Sequence, residues 1–154
     1  MDLPKPTIEH QKLQRLVGEW FGDEFIHPSP MDPKGGKAAG HIRNRYALDG
    51  FVLFHDYEQE RNSRPVFRGH GVITWNQAEQ CYFMYWFHSS GLPPSFFKGT
   101  LINDIMILNT EDTKTKVRIS WNFQRDRQYA SRIETSQDGE EWSIFVNGTY
   151  IRKD

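Results

Sequence analysis

His41-Ile42-Arg43-Asn44-Arg45-Tyr46-Ala47-Leu48-Asp49-Gly50-Phe51-Val52-Leu53-Phe54-His55-Asp56-Tyr57 decides the fold of this chain. Two runs rich in aromatic and β-branched residues meet at Asp49-Gly50, a dipeptide suited to the left-handed backbone of a two-residue hairpin turn. A turn centred there pairs Leu48 with Phe51 and sets every pair behind it. Tyr46 then faces Leu53, Asn44 faces His55 and Ile42 faces Tyr57. On the alternate face Arg43 meets Asp56 and His41 meets Glu58, complementary groups directly across from each other. The first set therefore points inward and the second outward.

The same test extends along the chain. A turn around Asn62 and Ser63 that pairs Arg61 with Pro65 puts Arg68 opposite Glu58 and His70 opposite Asp56 on the outer face. Inside, it sets Gly69 beside Tyr57, Gly71 beside His55 and Ile73 beside Leu53. A slip of one residue would bury Arg68 and His70, so the charge ladder selects the register. Farther on, Phe123 and Tyr129 bracket a turn that sets Trp121 opposite Ser131, Ile119 opposite Ile133 and, outside, Arg118 opposite Glu134. Asn103-Asp104 and Ser136-Gln137-Asp138-Gly139 read as further turns.

At the N-terminus Thr7 caps a helix running to about Val17, with Glu9 and His10 in its first turn and Leu13, Leu16 and Val17 on one side. Gly18 ends it. About ten strand-like runs follow, near 20–27, 39–48, 51–60, 66–75, 81–88, 96–102, 105–110, 116–123, 129–135 and 142–152. Sequence-adjacent hairpins without helical crossovers predict a mainly β protein, an antiparallel up-and-down barrel with a short N-terminal helix. There is no internal repeat or linker composition. Residues 1–154 are expected to form one domain, with a helix over about 7–17 and a barrel over about 19–152.

Composition narrows the partners. Lys plus Arg number 19 against 20 for Asp plus Glu, a net charge of -1. That balance gives no long-range attraction to nucleic acid or to an anionic membrane. The lone cysteine, Cys81, cannot form an internal disulfide and offers no zinc-site spacing. The opening Met-Asp-Leu-Pro-Lys-Pro lacks the apolar stretch of a signal peptide, and no segment is long and apolar enough to span a bilayer, so a cytoplasmic location is expected.

Gly18-Glu19-Trp20, at the junction of helix and first strand, resembles the Gly-x-Trp opening of the calycin superfamily, which includes lipocalins and fatty-acid-binding proteins. Over nearly its whole length the chain resembles a bacterial family known only as a domain of unknown function. The likeness rests on Leu16-Val17-Gly18-Glu19-Trp20, Leu48-Asp49-Gly50-Phe51, Arg68-Gly69-His70-Gly71-Val72, Tyr85-Trp86-Phe87 and Ser136-Gln137-Asp138-Gly139 with Trp142. It implies a calycin-like barrel but no reaction and no catalytic residues. Members often carry an acid after the Trp-Phe pair, where this chain has His88. The likeness also predicts that Trp20 closes the helix-side end of the barrel and packs against Arg152 of the last strand.

Strand alternation sorts the two ends. The turns at Asp49-Gly50, Asn103-Asp104 and around Gln77 fall at the helix end, while the Pro/Gly-rich segments 28–38 and 89–94 fall at the other. Longer loops mark the mouth, where function is expected. The inward polar residues Asn44, His55, Tyr57 and His88 lie toward it. Gly69 and Gly71 leave two adjacent inner positions without side chains, a space that is either a ligand cavity or is filled by Trp86 across from Gly71.

The predicted ligand-binding set is therefore Asn44, His55, Tyr57, Gly69, Gly71, Trp86 and His88, holding a small hydrophobic or aromatic molecule. A second reading makes His55, Tyr57 or His88 the acid or base of an enzyme. A third has a filled barrel that acts only through its surface. No metal is expected, because His55 and His88 lack an obvious third ligand. No cofactor is expected either. Haem is bound by the distantly related nitrobindin-like barrels through a histidine near the C-terminal end, whereas the last histidine here is His88. Nothing in the sequence sets an oligomeric state.

Overall fold

The chain turns at Asp49-Gly50 and keeps the predicted register, but the ladder ends at Ala47 with Val52 rather than at Leu48 with Phe51, because Leu48 also turns left-handed with φ of 50°. Asp49 and Gly50 take φ of 58° and 90°, and the Phe51 N–H donates to the Leu48 carbonyl at 3.2 Å. In the computed structural model, which describes residues 2–153, this hairpin is one of a series that closes on itself. The strands are β1 (Gly18–Ile26), β2 (Gly36–Ala47), β3 (Val52–Arg61), β4 (Arg64–Asn76), β5 (Cys81–His88), β6 (Ser95–Ile102), β7 (Ile105–Thr110), β8 (Lys116–Arg125), β9 (Gln128–Ser136) and β10 (Ser143–Lys153). Each pairs antiparallel with its sequence neighbours, and β1 pairs with β10 to close the barrel. Closure satisfies both edges and leaves no open strand.

The predicted registers hold in the body of each hairpin: Asn44 opposite His55, Tyr57 opposite Gly69, His55 opposite Gly71, Gly71 opposite Trp86 and Trp121 opposite Ser131. The turn between β3 and β4 differs. Arg61 pairs with Arg64, not Pro65, through a two-residue turn in which Asn62 and Ser63 have φ of 52° and 61°. Glu60 then pairs with Pro65 and Gln59 with Phe67, so Val66 bulges out and restores the predicted register beyond it. Proline has no N–H to give a ladder, and a bulge is where a strand tolerates it.

The outer face keeps its charges, with two changes of partner. Arg68 reaches Glu58 at 3.4 Å and Arg118 reaches Glu134 at 3.2 Å. Arg43 lies across from Asp56 but pairs with Glu19 of β1 at 3.4 Å, and Asp56 pairs with His70 at 2.6 Å. His41 also turns from Glu58 toward Glu19, at 3.5 Å, and stacks on Phe21. β2 is flanked on both sides, and Glu19 lies directly opposite Arg43 on β1. The Arg118–Glu134 pair is not an exposed one, because Glu134 is buried and the Arg118 guanidinium lies over the Trp142 ring.

The N-terminal helix is shorter than expected. α1 covers Ile8–Gln11, and Lys12–Leu16 continues as a 3₁₀ turn. With three residues per turn, Leu13 and Leu16 fall on one line, and both are fully buried. Val17 is less buried and opens the way to Gly18, whose φ of 136° suits glycine.

This segment closes one end of the barrel. The Trp20 indole and the Asn44 amide both donate to the Leu16 carbonyl at 2.9 Å. Tyr46 donates to the His10 carbonyl at 2.8 Å and Tyr82 to the Glu9 carbonyl at 2.6 Å. Above the plug Trp20 meets Phe123 and Tyr129 edge to face, and the Arg152 guanidinium lies 5.9 Å from the Trp20 ring, as predicted. No helix among the described residues is long and apolar enough to cross a membrane.

Candidate functional site

β1 turns Trp20, Gly22, Glu24 and Ile26 toward the interior, and Glu24 is only 7% exposed. The Tyr57 hydroxyl donates to both of its carboxylate oxygens, at 2.6 and 2.9 Å, and Gln59 donates to the Tyr57 oxygen at 2.9 Å. Tyr150 of β10 comes to the same place because Gly22 and Gly40 are paired across β1 and β2. A Cβ on Gly22 would lie 2.6 Å from the Tyr150 ring, and one on Gly40 would lie 2.0 Å from the Tyr150 oxygen and 2.7 Å from a Glu24 oxygen. The two glycines thus let a tyrosine lie against the wall beside a buried acid. Burial raises the Glu24 pKa, and the hydrogen bonds from Tyr57, Tyr150 and Gln59 offset this only in part. Burial and the adjacent carboxylate also push the Tyr57 and Tyr150 hydroxyls well up, so both remain donors.

His55 and Asn44 form a second polar pair, each 5% exposed. His55 Nδ1 lies 2.7 Å from Asn44 Oδ1. Since the Asn44 amide nitrogen already donates to Leu16, its oxygen is the acceptor, and the network assigns the imidazole proton to Nδ1. Nε2 then carries a lone pair. Burial lowers the His55 pKa to about 4, so the ring is neutral at neutral pH.

Trp86 governs the remaining space. A Cβ on Gly69 would lie 2.0 Å from its six-membered ring, so the room that Gly69 leaves is taken by the indole and is not empty. Gly71 is less crowded: a Cβ there would meet Met84, His55 and Trp86 at 3.3 to 3.4 Å. The Trp86 ring is 5.9 Å from His55 and 6.5 Å from both Tyr57 and His88. His88 lies beyond Trp86 at the mouth, stacked on Phe67, with Nδ1 2.7 Å from the Ser90 hydroxyl.

Two hollows result. An interior cavity of about 60 Å³ is walled by His55, Tyr57 and Trp86 of the predicted set, together with Glu24, Trp121, Ser131, Tyr150 and the aliphatic residues Ile42, Met84, Ile119 and Ile133. Asn44, Gly69, Gly71 and His88 do not line it. Asn44 and Gly71 lie directly behind His55, and Gly69 and His88 border a larger, shallow groove of about 510 Å³ on the outer side of β2 to β5. That groove is wider, but its Arg68, Glu58, Asp56 and His70 already satisfy one another. The interior cavity is the more enclosed of the two, and in it Glu24, His55 and Ser131 face the rings of Tyr57, Trp86, Trp121 and Tyr150.

Glu24 and Tyr150 are absent from the sequence-derived set. Strand parity carries the signal that finds them. Once Trp20 is placed inward, Glu24 follows four residues on, and an Arg152 over Trp20 places Tyr150 inward two residues before it.

The barrel is similar to two solved structures across nearly all of both chains. One is the crystal structure of Rv2717c from M. tuberculosis, with a TM-score of 0.71 and 12% identity over 94% of this chain and 96% of that one. The other is the S-type phycobiliprotein lyase CpeS from Guillardia theta, with a TM-score of 0.65 and 11% identity over 97% of this chain and 94% of that one. At such identities the likeness shows the fold alone. No curated protein matches the chain. A family model described as "Protein of unknown function (DUF1579)" matches residues 5–152, and the chain belongs to that family.

Proposed function

We propose that this protein binds a small, largely apolar or aromatic molecule in the mouth-side half of the barrel. The observation that carries the reading is the junction of Trp86 and Trp121 with Glu24, His55 and Tyr57 around one interior cavity. At about 60 Å³ the cavity is far below the roughly 300–1,000 Å³ of drug-sized sites. A guest larger than a few water volumes must therefore displace the Trp86 ring from its place over Gly69. A barrel of similar shape serves as a phycobiliprotein lyase in Guillardia theta, which is compatible with small-molecule work on this scaffold. Asn44, Gly69, Gly71 and His88 take supporting parts in this reading. Asn44 orients His55, Gly69 houses the closed Trp86, Gly71 leaves His55 and Trp86 free of a neighbour, and His88 stands at the entrance.

The neutral His55 favours one second reading, an enzyme in which Nε2 accepts a proton from a bound guest. Both readings need the same occupancy, so binding is tested first. Toluene and benzyl alcohol are titrated into ¹⁵N-labelled protein while the tryptophan indole N–H signals are followed. Those of Trp86 and Trp121 should shift, and that of Trp142, outside the barrel, should not. Gly71→Leu should weaken binding at least tenfold while leaving the fold intact. His55→Ala should weaken benzyl alcohol more than toluene. A Trp86 signal that does not respond, or normal binding by Gly71→Leu, would place the site elsewhere.

A further inference from the structure

Four acids on the outside of this barrel are paired with arginines: Glu19 with Arg43, Asp32 with Arg61, Glu58 with Arg68 and Glu134 with Arg118. The acid inside is not. Glu24 is 7% exposed, its neighbours are phenols and an amide, and no Lys, Arg or His is among the groups that act on it. This inverts the usual arrangement, since a buried carboxylate needs a counter-charge far more than an exposed one does. The rest of the cavity wall adds no positive charge. The His55 ring, with its proton held on Nδ1 by Asn44, presents a lone pair on Nε2, and Ser131 supplies a hydroxyl. The remaining wall is aromatic or aliphatic, with Trp86 and Trp121 providing faces that attract cations as well as apolar groups.

Resting on the binding reading, we infer that the guest carries a protonated nitrogen, an amine or amidine, which Glu24 receives, and an apolar or aromatic body that lies against Trp86 and Trp121. The guest supplies the cation that the chain withholds. Tyr57 holds the carboxylate in place by donating to it, Tyr150 lies alongside, and Gly22 and Gly40 keep the wall beside it thin. An anionic guest would meet the carboxylate with like charge, and a purely apolar one would leave it unpaired.

The test compares benzamidine, benzyl alcohol, toluene and benzoate as matched probes, each read at the Trp86 indole signal so that binding at surface acids is not counted. Benzamidine should bind at least tenfold more tightly than toluene, and benzoate should not bind. Glu24→Gln should remove the benzamidine advantage and leave toluene unchanged. The unaltered chain provides a check that does not depend on the variant's folding. Benzamidine affinity should rise with pH as Glu24 ionises, while toluene affinity stays flat. The titratable groups around the cavity are Tyr57 of β3, Tyr150 of β10 and, farther off, Tyr129 of β9, all of which stay protonated, and His55 of β3, which is neutral well above pH 4, so the series is read from pH 5 upward; β2 presents Ala38, Gly40 and Ile42, none of which titrates. If toluene binds at Trp86 but benzamidine gains nothing from Glu24 or from pH, the binding reading stands and this inference falls. If no probe reaches Trp86, the binding reading fails and takes the inference with it.

Discussion

Trp20 and Glu24 are four residues apart on the same inward face of β1, yet they belong to opposite halves of the barrel. Around Trp20 the interior is solid. Phe123 and Tyr129 pack on the indole, Tyr150 stacks on Tyr129, and the side-chain donors of Trp20, Asn44, Tyr46 and Tyr82 end on backbone carbonyls of the N-terminal segment. Around Glu24 the hydrogen bonds run between side chains, a cavity remains, and a carboxylate has no cation. The first half follows the rule that buried polar atoms are satisfied by the nearest backbone. The second half breaks the rule that buried charge is paired. The difference teaches where stability and function divide in this fold: the helix end holds the barrel closed, and the mouth end carries a cost that only a guest would offset.

The largest effect should come from the solid half. Trp20→Ala removes a fully buried indole and its hydrogen bond, and should cost about 3–5 kcal/mol in urea unfolding. A loss below about 1 kcal/mol would show that the two halves do not differ in packing.

His55 sets the next. Its pKa is about 4 in the folded barrel against 6.5 unfolded, so the unfolded chain binds the extra proton between these values. The stability it contributes is complete above pH 6.5 and is lost as pH falls toward about 4, a change on the order of 3 kcal/mol. His55→Gln should flatten that slope in a pH series of unfolding curves, and an unchanged slope would refute the assignment.

Glu24 acts with the opposite sign. Its folded pKa is raised above the ordinary 4.5, so its contribution is fully present below pH 4.5 and is lost as pH rises through the folded value. Glu24→Gln should therefore stabilise the protein by about 1–3 kcal/mol near pH 8, with the gain gone by about pH 4. A destabilised variant at the higher pH would mean the carboxylate is already compensated. The smallest effect belongs to the outer ladder. Arg68 is mostly exposed beside Glu58, and Arg68→Ala should change stability by less than about 0.5 kcal/mol.

The outer ladder is also what made the fold legible. Asp49-Gly50 supplied one turn, and the pairing of Arg68 with Glu58 then carried the register from β2 to β4. Local adjustments left no such mark. The Val66 bulge cancels a one-residue change in the turn, so the charge pattern is the same with or without it. Leu13 and Leu16 sit three apart, a spacing that suits an α-helix as well as the 3₁₀ turn that forms. In the site, His55, Tyr57 and Trp86 could be placed because their hairpins could be read. Glu24 was missed although the signal was there: of the adjacent acids Asp23 and Glu24, the one four residues beyond the inward Trp20 turns inward. That Trp86 occupies the space at Gly69 depends on how its side chain leans, which no register specifies.

The most direct test of this division is the ¹³C titration of the Glu24 carboxyl group, with and without benzamidine. A buried acid awaiting a cation predicts a midpoint above 4.5 in the free protein that moves down when benzamidine binds. A midpoint at or below 4.5, unmoved by benzamidine, would contradict it and make the mouth-side half as self-sufficient as the end closed by Trp20.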